Sequence, residues 1–216
     1  MPESLSRRRF LARTGAAILV GGVATTLGPR AASAAVQAKV GEPAPAFTAT
    51  ATNGAPVSLA SYKGKIVVLE WTNHECPYVR KHYETGNMQA LQRETTAQGV
   101  VWLTLISSAK GEQGYVTAAQ ADELTTSRKA APTAVLLDPT GVVGRMYAAT
   151  NTPHMFVIDK AGILVYAGAI DDRPTTRRGD IQGAQNYVRD ALRAVAAGQP
   201  VKTPQTRAYG CTVKYS

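Results

Sequence analysis

The residues best suited to chemistry stand in one run, Ile66-Val67-Val68-Leu69-Glu70-Trp71-Thr72-Asn73-His74-Glu75-Cys76-Pro77-Tyr78-Val79-Arg80-Lys81-His82. Cys76 is the candidate nucleophile, because a cysteine thiolate attacks peroxide O–O bonds and disulfides where the neutral thiol does not. The run predicts a buried strand over 66–71, a polar loop, and a helix opened by Pro77, whose missing N–H costs nothing at that position. Cys76 is thereby expected at the helix N-cap, where the partial positive charge of the helix end favours a thiolate. Arg80, Lys81 and His82 would add to that field, and Glu75 would oppose it. The alternative is a cysteine that serves only as a small buried hydrophobe.

The second cysteine, Cys211, lies 135 positions later in the tail Ala208-Tyr209-Gly210-Cys211-Thr212-Val213-Lys214-Tyr215. It is expected either to attack an oxidised Cys76 and close a disulfide, since a sulfenic acid condenses with a nearby thiol, or to serve as a permanent staple, or to pair with another chain. Closing so long a loop would contribute on the order of 4–5 kcal/mol through chain entropy, so stability alone is a sufficient reason for a staple. The chain has three histidines, at 74, 82 and 154, and lacks a Cys-x-x-Cys. Zinc is therefore not expected, and the expected thiol chemistry needs no cofactor. His154 is read either as facing the thiol or as a buried histidine satisfied by backbone. Trp71 and Trp102 are read as core.

The first 34 residues are set apart as an export signal. Ser6-Arg7-Arg8-Arg9-Phe10-Leu11 is followed by an uncharged apolar stretch from Thr14 to Leu27, diluted by glycine, and by Ala32-Ser33-Ala34 with small-x-small spacing. This resembles a twin-arginine signal, which places the mature protein in the periplasm or another extracytoplasmic space. The apolar stretch is short of the ~20 residues of a membrane span, and no later segment reaches that length. Removing the signal leaves 182 residues, about one domain, and takes +4 of the formal +9 charge with it. The remaining basic residues are scattered without aromatic interleaving, which gives no nucleic-acid footprint.

The elements expected to position Cys76 follow from pattern and punctuation. Val40 to Leu59 reads as an extended lead-in with a short strand at 57–59. The helix after Pro77 breaks at Gly86-Asn87 and resumes to Gly99. A strand over 100–106 completes a parallel strand-helix-strand unit. Thr117 to Gln120 has capping-box spacing for a helix ending before Pro132. Strands at 134–137, 155–158 and 163–167 follow, the last two flanking the hairpin turn Asp159-Lys160-Ala161-Gly162. A final helix runs from about 181 to 197, giving a domain over 35–200 and a tail over 201–216 that has little reason to be ordered unless it docks. The class is α/β, a mixed central sheet with helices on both faces.

The order of elements, the cysteine after the long strand, and Asn151-Thr152-Pro153 just before the strand at 155–158 resemble the thioredoxin fold. More narrowly they resemble redoxins of the alkyl hydroperoxide reductase and thiol-specific antioxidant type, over roughly residues 40–197. The resemblance implies a thiol-dependent oxidoreductase acting on a peroxide or a disulfide and regenerated by an extracytoplasmic thiol. It also implies that Cys76 is the redox-active thiol and that the Thr152–Pro153 bond is cis and lies against it, with Pro77 and Asn73 in support. Departures are specific. Val79 stands where a thioredoxin has its second cysteine, and Leu69 and Asn73 stand where peroxiredoxins carry proline and threonine. Asn73 is read either as an amide donor replacing the lost hydroxyl or as a loop cap. Arg145 and Arg173 are the candidates for the family's arginine. Two other classes stay open: a copper-delivery protein using Cys76 with His74 or His154, and a binding domain that kept the fold without the chemistry.

Overall fold

The computed structural model describes residues 37–216. The expected export signal over residues 1–34 lies outside the described residues. The strands are β1 Thr48–Ala51, β2 Pro56–Ser58, β3 Val67–Trp71, β4 Val101–Ile106, β5 Ala134–Leu137, β6 Asn151–Thr152, β7 His154–Ile158, β8 Leu164–Gly168 and β9 Cys211–Thr212. The helices are α1 Pro77–Glu84, α2 Asn87–Ala97, α3 Ala118–Ser127, α4 Val142–Met146 and α5 Tyr187–Ala196.

Seven strands form one mixed sheet in the order β2-β1-β5-β4-β3-β7-β8. β3 lies in its interior, parallel to β4 and antiparallel to β7. All five of its residues are buried, which is why they read as a nearly continuous apolar run rather than an alternation. Val67, Leu69 and Trp71 face one side, with Phe47, Tyr147 and Phe156. Val68 faces the other, with Trp102 of the neighbouring strand β4 and Met88, Leu91, Val188 and Leu192 of the covering helices. α1, α2, α3 and α5 cover that second side, and α4 packs on the first.

The break between α1 and α2 falls where glycine was expected to put it. Gly86 takes a left-handed φ of 75°, which costs a glycine nothing. The capping box at Thr117 and Gln120 is present. Three expectations are corrected. The last helix starts at Tyr187, not near 181, because Asn186 caps it by accepting from the Arg189 N–H; residues 178–181 form a separate 3-10 turn. The lead-in contains a further strand, β1, whose Thr-Ala-Thr-Ala sequence alternates exposed and buried without any large side chain to announce it. α4 was not expected either, since five residues are too few for a helical period to show.

α4 is held by Asp138. The carboxylate accepts from the N–H groups of Val143 and Gly144 and from Ser107 Oγ, and Ser107 in turn accepts from the Trp71 indole. Asp138→Ala would leave these buried donors without a partner, so a loss of about 2 kcal/mol is expected. Urea unfolding at neutral pH checks it, and a change within a few tenths of wild type would show that the chain of bonds carries no stability.

Residues 201–216 are docked across the domain. The segment first runs beside β8, with the Ala167 N–H donating to Pro204 O and the Thr206 N–H to Ala167 O. β9 then pairs with β6, placing Cys211 opposite Thr152. Beyond it Val213 donates to Thr150 O, the Ala109 N–H to Lys214 O, and the Tyr215 hydroxyl to Ala149 O. The backbone of this tail finds its partners in the domain, which is what orders it.

Candidate active site

Cys76 is the N-cap of α1, with extended backbone (φ −70°, ψ 121°) and Pro77 in the first helical position. Its side chain is fully buried. The thiol donates to Thr152 O at 3.1 Å, and the Cys211 N–H donates to Cys76 Sγ at 3.4 Å. The Thr152–Pro153 bond is cis. Cys76, Pro77, Thr152, Pro153 and Cys211 are thus one cluster, built from the loop after β3, the β6 loop and the docked tail. Both cysteines are free thiols, and Cys211 is partly exposed. Partial burial and the adjacent Cys76 push the Cys211 thiol up to about 12.

Asn73 is 2% exposed and closes the loop. Its Oδ1 accepts from the Glu75 N–H at 2.9 Å and its Nδ2 donates to Gln113 O at 3.3 Å. These bonds are those of a loop cap. The Glu75 carboxylate accepts from the Gly114 N–H. The expected cationic support from α1 is corrected as well. Arg80 pairs with Glu84 at 2.9 Å, and Lys81 and His82 are fully buried and turned to Tyr209 and Asp171. Burial pulls the Lys81 ammonium below its ordinary range, against the pull of Asp171. Burial, reinforced by the Lys81 charge, lowers His82 to about 3.

Neither candidate arginine is a partner of Cys76. Arg145 donates to Thr140 O and lies over the Tyr215 ring, and Arg173 pairs with Asp172. His154 stacks on Phe156 with ring centroids 4.4 Å apart and accepts from the Thr150 N–H. Burial lowers it to about 4, so it is the satisfied neutral histidine of the two readings. Among the described residues no group of three or more His, Cys, Asp or Glu side chains could hold a metal ion. No helix among them is long and apolar enough to cross a membrane.

Four contributors escaped the sequence reading. Arg128 reaches from just past α3 to donate to His74 O at 3.0 Å and lies over the Tyr83 ring. Glu70 is fully buried in β3. Its carboxylate accepts from Tyr83, Gln92, Trp102 and Thr104 at 2.7–3.2 Å, and burial raises its pKa. Gly210 lets the tail lie against Thr152. Tyr209 is bonded to Lys81, His82 and Asp171. Only Glu70 left a trace in the sequence, as a carboxylate inside an apolar run; the others depend on residues remote in sequence.

A cysteine opening the helix after β3, set against a cis-proline loop, places the chain among thioredoxin-fold redox proteins. It belongs to the AhpC/TSA family, whose model matches residues 40–167. No curated protein matches the sequence. An uncharacterized conserved protein from Geobacillus kaustophilus is 24% identical in its crystal structure, with a TM-score of 0.72 over 82% of this chain and 93% of that one. A hypothetical protein from Sinorhizobium meliloti is also 24% identical, with a TM-score of 0.71 over 82% of this chain and 95% of that one. A candidate thiol:disulfide interchange protein DsbE from Chlorobium tepidum is 24% identical, with a TM-score of 0.50 over 61% of this chain and 85% of its own. These three are likenesses of fold.

Proposed function

We propose that this chain is an exported thiol-dependent oxidoreductase in which Cys76 is the reacting thiol and Cys211 resolves it. One observation carries the reading: β9 presents Cys211 directly over Cys76, with its N–H 3.4 Å from the sulfur. The Cys76 thiolate attacks one oxygen of a peroxide, the O–O bond breaks, and the leaving oxygen takes a proton to give water or an alcohol. The resulting sulfenic acid is attacked by the Cys211 sulfur. The S–O bond breaks, the hydroxide leaves as water with the Cys211 proton, and a disulfide joins the two cysteines. An extracytoplasmic thiol then reduces it by two exchange steps. Pro77 leaves the first turn of α1 open toward the sulfur, Asn73 closes the loop before it, and Thr152 and Pro153 form the opposite wall. The export assignment rests on residues 1–34.

Complete burial of Cys76 favours a small oxidant such as a peroxide as the first substrate. A second reading, exchange with a disulfide, is favoured by the partial exposure of Cys211 and by the use of Asn73 within its own loop. Stopped-flow oxidation of the reduced mature protein by hydrogen peroxide, followed by intact mass, separates them. A Cys76 far faster than free cysteine, loss of two hydrogens in wild type, and arrest of Cys211→Ser at a sulfenic or sulfinic acid are expected. A rate no better than a free thiol would leave disulfide exchange. A Cys76 inert to oxidants, disulfides and alkylating agents alike would sink both and leave a binding domain.

A further inference from the structure

The Tyr209 hydroxyl has one proton to give and two lone pairs to offer, and all three are engaged. It donates to Asp171 Oδ1 and accepts from Lys81 Nζ at 3.3 Å. It also lies 3.2 Å from His82 Nε2. Asn87 Nδ2 sits 2.9 Å from the other ring nitrogen, Nδ1, and an amide NH2 can only donate. Nδ1 therefore accepts, Nε2 carries the hydrogen, and His82 donates to Tyr209. Burial and Asp171 hold the Tyr209 proton in place by raising its pKa well above the ordinary value. Lys81 Nζ also donates to Arg173 O at 2.7 Å and lies 3.7 Å from Asp171 Oδ2. Lys81, His82 and Asp171 are at most 2% exposed.

This knot joins two parts of the chain that carry the two cysteines. Lys81 and His82 lie on α1, whose N-cap is Cys76. Tyr209 lies two residues before Cys211, and its ring packs on Tyr78 of α1, with centroids 5.8 Å apart. A rigid tie at 209 and the β6–β9 pairing at 211 leave the intervening Gly210 little freedom.

We propose that Tyr209, bound by Lys81, His82 and Asp171, is a positioning residue that holds Cys211 against Cys76 and so sets the rate and equilibrium of disulfide closure. The inference rests on the two-cysteine cycle proposed above. A buried knot of this kind is replaceable by apolar side chains where only stability is at stake, and its use lies in fixing one geometry. Here the geometry it fixes is the approach of one sulfur to the other, which governs an intramolecular step through effective concentration.

The test compares wild type with Tyr209→Phe, which keeps the ring on Tyr78 and removes only the hydroxyl. Reduced protein is mixed with hydrogen peroxide, and sulfenic acid formation at Cys76 is resolved from its conversion to disulfide by quenched-flow mass analysis. The disulfide is also equilibrated against glutathione. Closure at least tenfold slower is expected, with the first step within about twofold of wild type. The glutathione equilibrium should shift at least tenfold toward the dithiol, equal to about 30 mV for this two-electron couple. Closure unchanged, or both steps slowed alike, would overturn the inference while leaving the two-cysteine cycle standing. A wild type that never forms the Cys76–Cys211 disulfide would overturn the cycle itself, and with it this role. If Tyr209→Phe does not fold, the charge-neutral pair Lys81→Met with Asp171→Asn, which keeps the hydroxyl, carries the same test and the same two outcomes.

Discussion

Gly210→Ala is expected to release Cys211 from Cys76 and to slow disulfide closure by about a hundredfold or more, on effective concentration alone. Gly210 has φ 127°, a region closed to other residues, and a Cβ there would stand 2.0 Å from Thr152 O and 2.8 Å from Thr152 C. Both contacts are backbone, so no side chain can swing aside, and the tail must lift from β6. Lifting it removes the hydrogen bond from the Cys211 N–H to Cys76 Sγ and uncovers a thiol that is otherwise fully buried. Two readouts should therefore move in opposite directions. Conversion of the Cys76 sulfenic acid to disulfide slows, and alkylation of reduced Cys76 by iodoacetamide speeds up. The strain also costs stability on the order of 1–3 kcal/mol. Closure at the wild-type rate would mean that the tail reaches Cys76 without this close approach.

Mild acid is expected to destabilise the protein through two buried neutral histidines. Burial, aided by the Lys81 charge, depresses His82 to about 3, and burial depresses His154 to about 4, from an ordinary 6.5. Below 6.5 the unfolded chain binds protons at these positions that the folded chain does not. Stability is therefore full above 6.5 and falls as pH drops toward the folded values, by roughly 1.4 kcal/mol per pH unit for each histidine. Glu70 works the other way: its pKa is raised from 4.5, so stability falls as pH rises above that value. Single variants isolate the histidine share. Between pH 7 and pH 5 the loss measured by urea unfolding should be smaller by about 2 kcal/mol in His82→Gln or in His154→Gln than in wild type. A loss identical to wild type in both variants would show that the two rings are protonated inside the folded protein. Protonation of His82 would fall on Nδ1, so acid should break its bond from Asn87 and leave the Nε2–H donating to Tyr209.

Sequence by itself determined the parts governed by local rules. The buried run of β3, Pro77 opening α1, Gly86 ending it, the Thr117 capping box and the hairpin turn between β7 and β8 each follow from periodicity or backbone preference within a few residues. Together they placed Cys76 at a helix N-terminus, and the Thr152–Pro153 pairing supplied the resemblance to a redoxin. What tertiary structure decided was every relation between segments far apart in the chain. Lys81 and His82 read as cations supporting the Cys76 thiolate, yet they are buried and turned away from it because the tail supplies Tyr209 and the loop after β8 supplies Asp171. Asn73 became a loop cap once Gln113 was brought beside it. Cys211 came to lie over Cys76 because β9 found an unpaired partner in β6 and because Gly210 allowed the approach. No pattern within either segment encodes such pairings, since a hydrogen bond across 59 or 127 residues depends on where the whole sheet puts its ends.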